Sequence, residues 1–291
     1  MFNLFFFYLD GIIKVSKKSK KYWIVRVFIQ KEEVIYIYMK KLIEKEQLLD
    51  ILKNRNENER LDLKNCAFKD MDLTGLDLKN VDLDWSDFEN VKLANVDFEN
   101  SNLSNVFLEH ADLSNASFKN STLHATNLRY TDLTNVDLSG ADIFGANLEE
   151  AKMDGIKTDE NTKHYKMVCP ETGAFLAWKT CFNTRLVRLL IPADARRTSS
   201  TLNTCRCDKA KVLAVTDPTE TIKFDEAVSY VDGDFVYKVG EMAYAKGFNP
   251  DRWRDSTGGI HFFMTKEEAL GYLMSISGEQ SESAADWTKD K

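Results

Sequence analysis

The chain has 291 residues, 43% of them hydrophobic and 29% charged, with a formal net charge of −7. This is the composition of one large or two ordinary folded domains rather than a disordered chain, and no run approaches the roughly 20 apolar residues that a membrane-spanning helix needs. The charge is uneven, at +5 over residues 1–60, −11 over 61–155 and −1 over 156–291, and so acidic a middle repels nucleic acid rather than attracting it.

The first 38 residues read unlike the rest. An apolar start, Met1–Tyr8, precedes the basic run Lys14, Lys17, Lys18, Lys20 and Lys21, which reverses the order of a secretory signal. The Phe-, Tyr-, Ile- and Lys-rich composition is that of translated upstream sequence, and Met39 opens what reads as an ordinary amino terminus. Residues 1–38 are therefore expected to be a spurious extension, with a β-hairpin from Tyr22–Ile29 and Glu33–Tyr38 as the alternative. The intact mass of the native protein decides between them. From residue 39 to 60, Leu42, Ile43, Leu48, Leu49, Ile51 and Leu52 form a helical stripe, expected to cap the element that follows.

From Leu61 the chain keeps a period of five. Nineteen consecutive centres, from Leu63, Phe68 and Leu73 to Leu148 and Met153, are apolar without a slip. Two residues before each centre the side chain is mostly small or apolar, as at Cys66, Val81, Ala111 and Ala146. One before it is usually Asp or Asn. Two after it is usually Asn or Gly, residues that tolerate positive φ and mark a tight turn. Two inward positions and one turn in every five fit neither a flat sheet nor an α-helix. They fit a square coil of 20 residues, with the centres filling its axis. Phe68 and Phe88, and Phe98 and Phe118, are each 20 apart and are predicted to stack on one side. At strand spacing the coils build a rod roughly 23 Å long.

This pattern resembles the pentapeptide-repeat family, whose motif is A(D/N)LXX. The resemblance implies a mainly β fold, a right-handed quadrilateral β-helix over 61–160. Large residues at the small position (Leu61, Met71, Leu76) suggest a wider first coil, and Phe107 places an aromatic on the outer surface. Some family members protect type II topoisomerases by imitating duplex DNA. Eleven net charges over roughly 23 Å come near the one per ~1.7 Å of DNA. Yet the acids lie on all four sides, interrupted by Lys64, Lys69, Lys79, Lys92, Lys119, Arg129 and Lys152, and many Asp side chains are expected to bond turn backbone instead of facing a partner. The outward Trp85, His110, His124, Tyr130 and Phe144 read either as an anchor patch or as packing against neighbouring segments.

Residues 161–275 form a second domain, expected to be small and α+β. Strand-like runs appear at Ala174–Trp178, Leu186–Ile191, Lys211–Val215, Phe235–Val239 and Ile260–Met264. Thr265 to Glu268 reads as a capping box before a helix over Ala269–Met274, and residues 276–291 as a disordered tail. The words CPETGAFLAWK (Cys169–Lys179), IPADARRTS (Ile191–Ser199), CRCDKAKVL (Cys205–Leu213), FVYKVGE (Phe235–Glu241) and GGIHFFMTKEEALGYL (Gly258–Leu273) together resemble a domain of unknown function that accompanies pentapeptide repeats in phage and virus proteins. The last of them is also similar to a strand and helix of ADP-ribosyltransferases. That likeness implies His261 and Phe262 near a nicotinamide and Tyr272 on the following helix, although no acceptor-activating Glu can be placed.

Arg185, Arg188, Arg196, Arg197 and Arg206 read as a basic cluster, facing either a phosphate-bearing ligand or the acidic rod. Arg196, Arg197 and Arg206 are the candidate contacts among them. Cys205 and Cys207 are spaced too closely for the usual paired zinc ligands and are expected to be buried thiols. The five cysteines, an odd number without a framework, fit a reducing cytoplasm. The expectation is a cytoplasmic, phage-encoded, non-enzymatic interaction protein with a protein partner, without cofactor, metal, nucleic acid or membrane. A DNA-mimic inhibitor and an NAD-binding ADP-ribosyltransferase-like domain are the alternatives.

Overall fold

The computed structural model describes residues 11–12, 23–30, 33–56, 59–254 and 257–272, with side chains from Lys40 onward. The expected tail, 276–291, lies outside the described residues. One compact unit runs to Lys166 and the other begins at Met167.

The first unit opens with strands where the hairpin alternative placed them. β1 (Gly11–Ile12) pairs antiparallel with β2 (Trp23–Gln30), and β2 with β3 (Glu33–Leu42). β3 runs through Met39, which lies opposite Val25, and its end docks parallel on the first coil, Lys41 against Cys66 and Leu42 against Ala67. Helix α1 (Lys45–Lys53) follows. Gln47 Oε1 accepts from the Glu44 N–H at its start, and the Asn54 side chain donates to the Asp50 carbonyl at its end. Ile43 and Leu48 are buried, while Arg55 holds Asp77 of the first coil at 2.8 Å. Local polar caps thus form the helix, and its apolar face seats it.

The repeat forms the square coil. Short strands β4 (Leu61–Asp62), β5 (Cys66–Lys69), β6 (Val81–Asp82) and β7 (Asp87–Glu89) pair in parallel with partners 20 residues on. Single bridges carry that register from Asp72↔Lys92 to Asp137↔Lys157, and it slips by one residue only at Asp142↔Lys163, where the period ends. Each centre carbonyl in the middle of the rod accepts from the N–H three residues on, as in Val96 to Leu93 and Ala111 to Leu108. All 19 residues placed two after a centre have positive φ, four of them glycine and most of the others asparagine. Asn is favoured because its short polar side chain tolerates this left-handed backbone. Gly140 has a further reason, since a Cβ there would collide with the Asn120 side chain of the coil below.

Inside, the centres from Leu63 to Leu148 are buried almost completely, and both predicted ring pairs stack: Phe68 on Phe88 at 4.6 Å and Phe98 on Phe118 at 5.1 Å. Where the small position is Ser or Thr, the hydroxyl donates to a centre carbonyl: Ser86 to Leu63, Ser101 to Leu78, Thr126 to Leu103 and Thr131 to Leu128. The polar atom is therefore buried without loss of a hydrogen bond.

The outside largely bonds to itself. Twelve Asp or Asn side chains before a centre accept from the N–H two residues on, beginning with Asp62 to Lys64 and ending with Asn147 to Glu149. All seven interrupting cations bridge to a carboxylate one coil away, with Lys79 reaching both Asp97 and Glu99. Of the outward aromatics, His110 stacks on Tyr130 at 5.0 Å, and Phe144 lies edge-on between His124 and His164. Phe107 is half-buried rather than exposed, because the Lys40 ammonium lies 5.2 Å over its ring.

These bonds carry a pH dependence. Hydrogen bonds from Thr74 hold the Asp72 carboxyl below its ordinary range, and those from Thr134 do the same for Asp132. A carboxylate depressed in the folded state contributes stability that is present above its unfolded pKa, near ~3.9, and is lost as pH falls through the lower folded value. Thermal melts should therefore show little change between about pH 7 and 5, then a steady fall in Tm below about pH 4.

The second unit is α+β. β8 (Phe175–Cys181), β9 (Arg185–Ile191), β12 (Lys209–Thr216) and β13 (Lys223–Phe224) form an antiparallel sheet in the order β13-β12-β9-β8, with β16 (Met242–Tyr244) also on β12. A smaller sheet runs β10 (Arg197–Ser199), β11 (Cys205–Cys207), β17 (Ile260–Phe262), and β14 (Glu226–Val228) pairs with β15 (Val236–Lys238). Val187, Leu189, Val212, Tyr237 and Phe262 belong to its core. Thr265 and Glu268 exchange both capping-box bonds, and residues 266–272 are helical.

A candidate ligand cavity in the second unit

β8 is the end strand of its sheet. Its outer edge is clamped at two points: Trp178 exchanges backbone bonds with Phe263 at 2.9 and 2.7 Å, and the Phe182 N–H donates to the Val228 carbonyl at 3.0 Å. Strand alternation turns the Thr180 peptide N–H and C=O to that same edge, between the clamps. A cavity of about 610 Å³ lies here, within the usual range of small-ligand sites. Phe235, Tyr237 and Ile260 give it apolar walls, and Lys179, Thr180, His261 and Tyr272 give it polar ones. Gly258 also lines it, and only glycine fits there, because a Cβ would strike the Gly247 carbonyl.

Two of the polar groups have poor company. Lys179 is 9% exposed, and no carboxylate among the described residues pairs with it. Its nearest compensation is the Tyr237 ring, 5.7 Å from the ammonium. Burial pushes its pKa down. The neighbouring thiols offer no anion, since burial raises Cys181 to about 11 and Cys207 to about 12. Thr180 is 3% exposed, and its Oγ1 is buried without a hydrogen-bond partner. The acidic lining residue, Asp232, is taken by Lys246 at 2.9 Å.

Of the residues singled out in the sequence, His261 and Tyr272 share this cavity, with Tyr272 packed on Phe263 at 5.5 Å. Phe262 does not, because on a strand it points opposite to His261 and is buried in the core beside Phe175. None of the candidate arginines lines it. Arg196 pairs with Asp208 at 2.9 Å, Arg197 donates to the carbonyls of Gly173, Pro192, Ala193 and Ala195, and the buried Arg206 donates to those of Asn249 and Asp251. These guanidiniums fasten loops to strands. All five cysteines are buried free thiols, and among the described residues no group of three or more His, Cys, Asp or Glu fits a metal. No described helix is long and apolar enough to cross a membrane.

Comparison with known proteins separates the two units in the same way. A model of pentapeptide repeats matches in several stretches between residues 59 and 157, and a family of unknown function, DUF5758, matches residues 165–269. No curated protein matches. Among solved structures, a pentapeptide repeat protein (Rfr23) from the cyanobacterium Cyanothece 51142 is 25% identical over 39% of this chain and 94% of its own, with a TM-score of 0.25. A pentapeptide repeat protein of the Arabidopsis thaliana thylakoid lumen is 23% identical over 34% and 77%, with a TM-score of 0.21. QnrB1, a plasmid-mediated fluoroquinolone resistance protein, is 15% identical over 37% and 86%, with a TM-score of 0.15. At such scores these likenesses carry no functional argument. The chain is thus a pentapeptide-repeat β-helix over residues 59–157 joined to a DUF5758 domain over residues 165–269.

Proposed function

We propose that this is a non-enzymatic interaction protein of the cytoplasm, encoded by a phage or prophage, in which the repeat is a rigid stand and the DUF5758 domain does the binding. The observation that carries this reading is the contrast between the two units. The interrupting cations of the repeat are all engaged coil to coil, whereas the second unit holds a cavity with an unmatched amine and hydroxyl. Affinity capture from host cells with residues 39–291, beside the repeat alone, tests it. A partner held by the long form and absent from the repeat is the expected result, and equal recovery on the repeat alone would sink the proposal.

The NAD-binding alternative keeps one supporting observation, the shared cavity of His261 and Tyr272. Against it, no Glu lines that cavity among the described residues. A falling NAD level on incubation with the intact chain would favour it.

A further inference from the structure

We propose that the cavity beside β8 binds a small organic monocarboxylate with a flat, apolar body, its carboxylate held by Lys179 and Thr180. The inference rests on the second unit being the binding part and names what it binds.

A lysine taken out of water without a counter-ion is costly, and it is driven toward its neutral form. Lys179 sits in this position. An unpartnered buried hydroxyl such as that of Thr180 is a second, separate cost. The two residues are consecutive on β8, so their side chains leave opposite faces of the strand, and the cavity that both line spans the open edge between the clamps. A ligand lying across that edge, with one acceptor oxygen toward each face, relieves both costs at once, by accepting from the ammonium and the hydroxyl, and the Thr180 peptide N–H on the same edge offers a third donor.

Charge selects the kind of acid. Lys246 is committed to Asp232 at 2.9 Å, so among the described residues the pocket supplies one unpaired lysine. That neutralises a carboxylate but leaves a phosphate dianion with a buried surplus charge. The walls select the body. The Phe235 and Tyr237 rings lie 5.0 Å apart, and with Ile260 they offer apolar faces to a flat group.

The test is a titration of the intact chain with benzoate, phenyl phosphate and benzyl alcohol, followed by NMR. The same is done with Lys179→Met, which keeps the chain length of the side chain without its charge, and with Thr180→Val, which keeps the shape of the side chain without its hydroxyl. The account expects saturable benzoate binding to the wild type, at least ~10-fold weaker in Lys179→Met and several-fold weaker in Thr180→Val. It also expects weaker binding of phenyl phosphate than of benzoate, and equal, weak binding of benzyl alcohol to all three. Absence of saturable benzoate binding, benzoate binding undiminished in both variants, or tighter binding of phenyl phosphate would each overturn it. Should Lys179→Met fail to fold, Thr180→Val alone decides the case. This titration is independent of the capture of a protein partner, so either can fail without the other.

Discussion

Replacing Lys40 with alanine is expected to destabilise the repeat unit by about 3–5 kcal/mol, the usual cost of leaving one member of a buried ion pair behind. Lys40 Nζ lies 2.7 Å from Asp87 Oδ1, and the two side chains are 3% and 5% exposed. Asp87 occupies the position that elsewhere on the rod faces solvent. Here the end of β3 lies over that side of the coil and buries it. Removing the ammonium leaves a carboxylate out of water and also strips the cation from the Phe107 ring. The double replacement Lys40→Met with Asp87→Leu should recover most of the loss, because burying a matched pair gains little over apolar packing. Urea unfolding of the three proteins checks this. A loss under about 1 kcal/mol for the single variant would mean that the pair is open to water.

Phe118→Ala should cost about 3–5 kcal/mol. Its ring is fully buried on the axis and stacked on Phe98, so truncation leaves a void that the surrounding short sides close only in part. In a linear array each coil is stabilised mainly by its neighbours. The loss should therefore concentrate locally, with amide exchange accelerating most in the coils around residues 98–138 and least near α1. Uniform acceleration would mean that the rod unfolds as one block.

The repeat was legible to the residue because one short rule governs every position. An apolar centre and a turn recur 19 times, with a small residue and an Asx at most of the positions between, so each position can be checked against 18 others, and the period carries positive φ even to Asp70, Trp85, His110, Ala125, Tyr130 and Glu150, where the residue is neither Asn nor Gly. The second unit had no such redundancy. Its long strands were visible as apolar runs, but β10, β11, β13, β14 and β16 span only two or three residues each and leave no period to read.

The cavity was hidden for a related reason. Lys179 looks like the end of a strand when only apolar runs are followed. Alternation was the available signal, since it places Lys179 on the same face as the buried Ala177 and Cys181. The arginines misled in the opposite direction. Closeness in sequence suggested one patch, while the fold spends Arg197 and Arg206 on backbone carbonyls, which no composition count reveals.

The net charge of the rod remains the feature most open to a different reading, because −11 over residues 61–155 approaches the charge density of a duplex. Its geometry argues otherwise. Cations stand between carboxylates along the ladder, and many Asp oxygens accept from turn N–H groups, so the surface lacks the unbroken anionic rows of DNA. DNA supercoiling by gyrase, measured with rising concentrations of the intact chain, tests this most directly. The account predicts supercoiling unchanged up to high protein concentration. Dose-dependent inhibition, or protection of the enzyme from a quinolone, would contradict it.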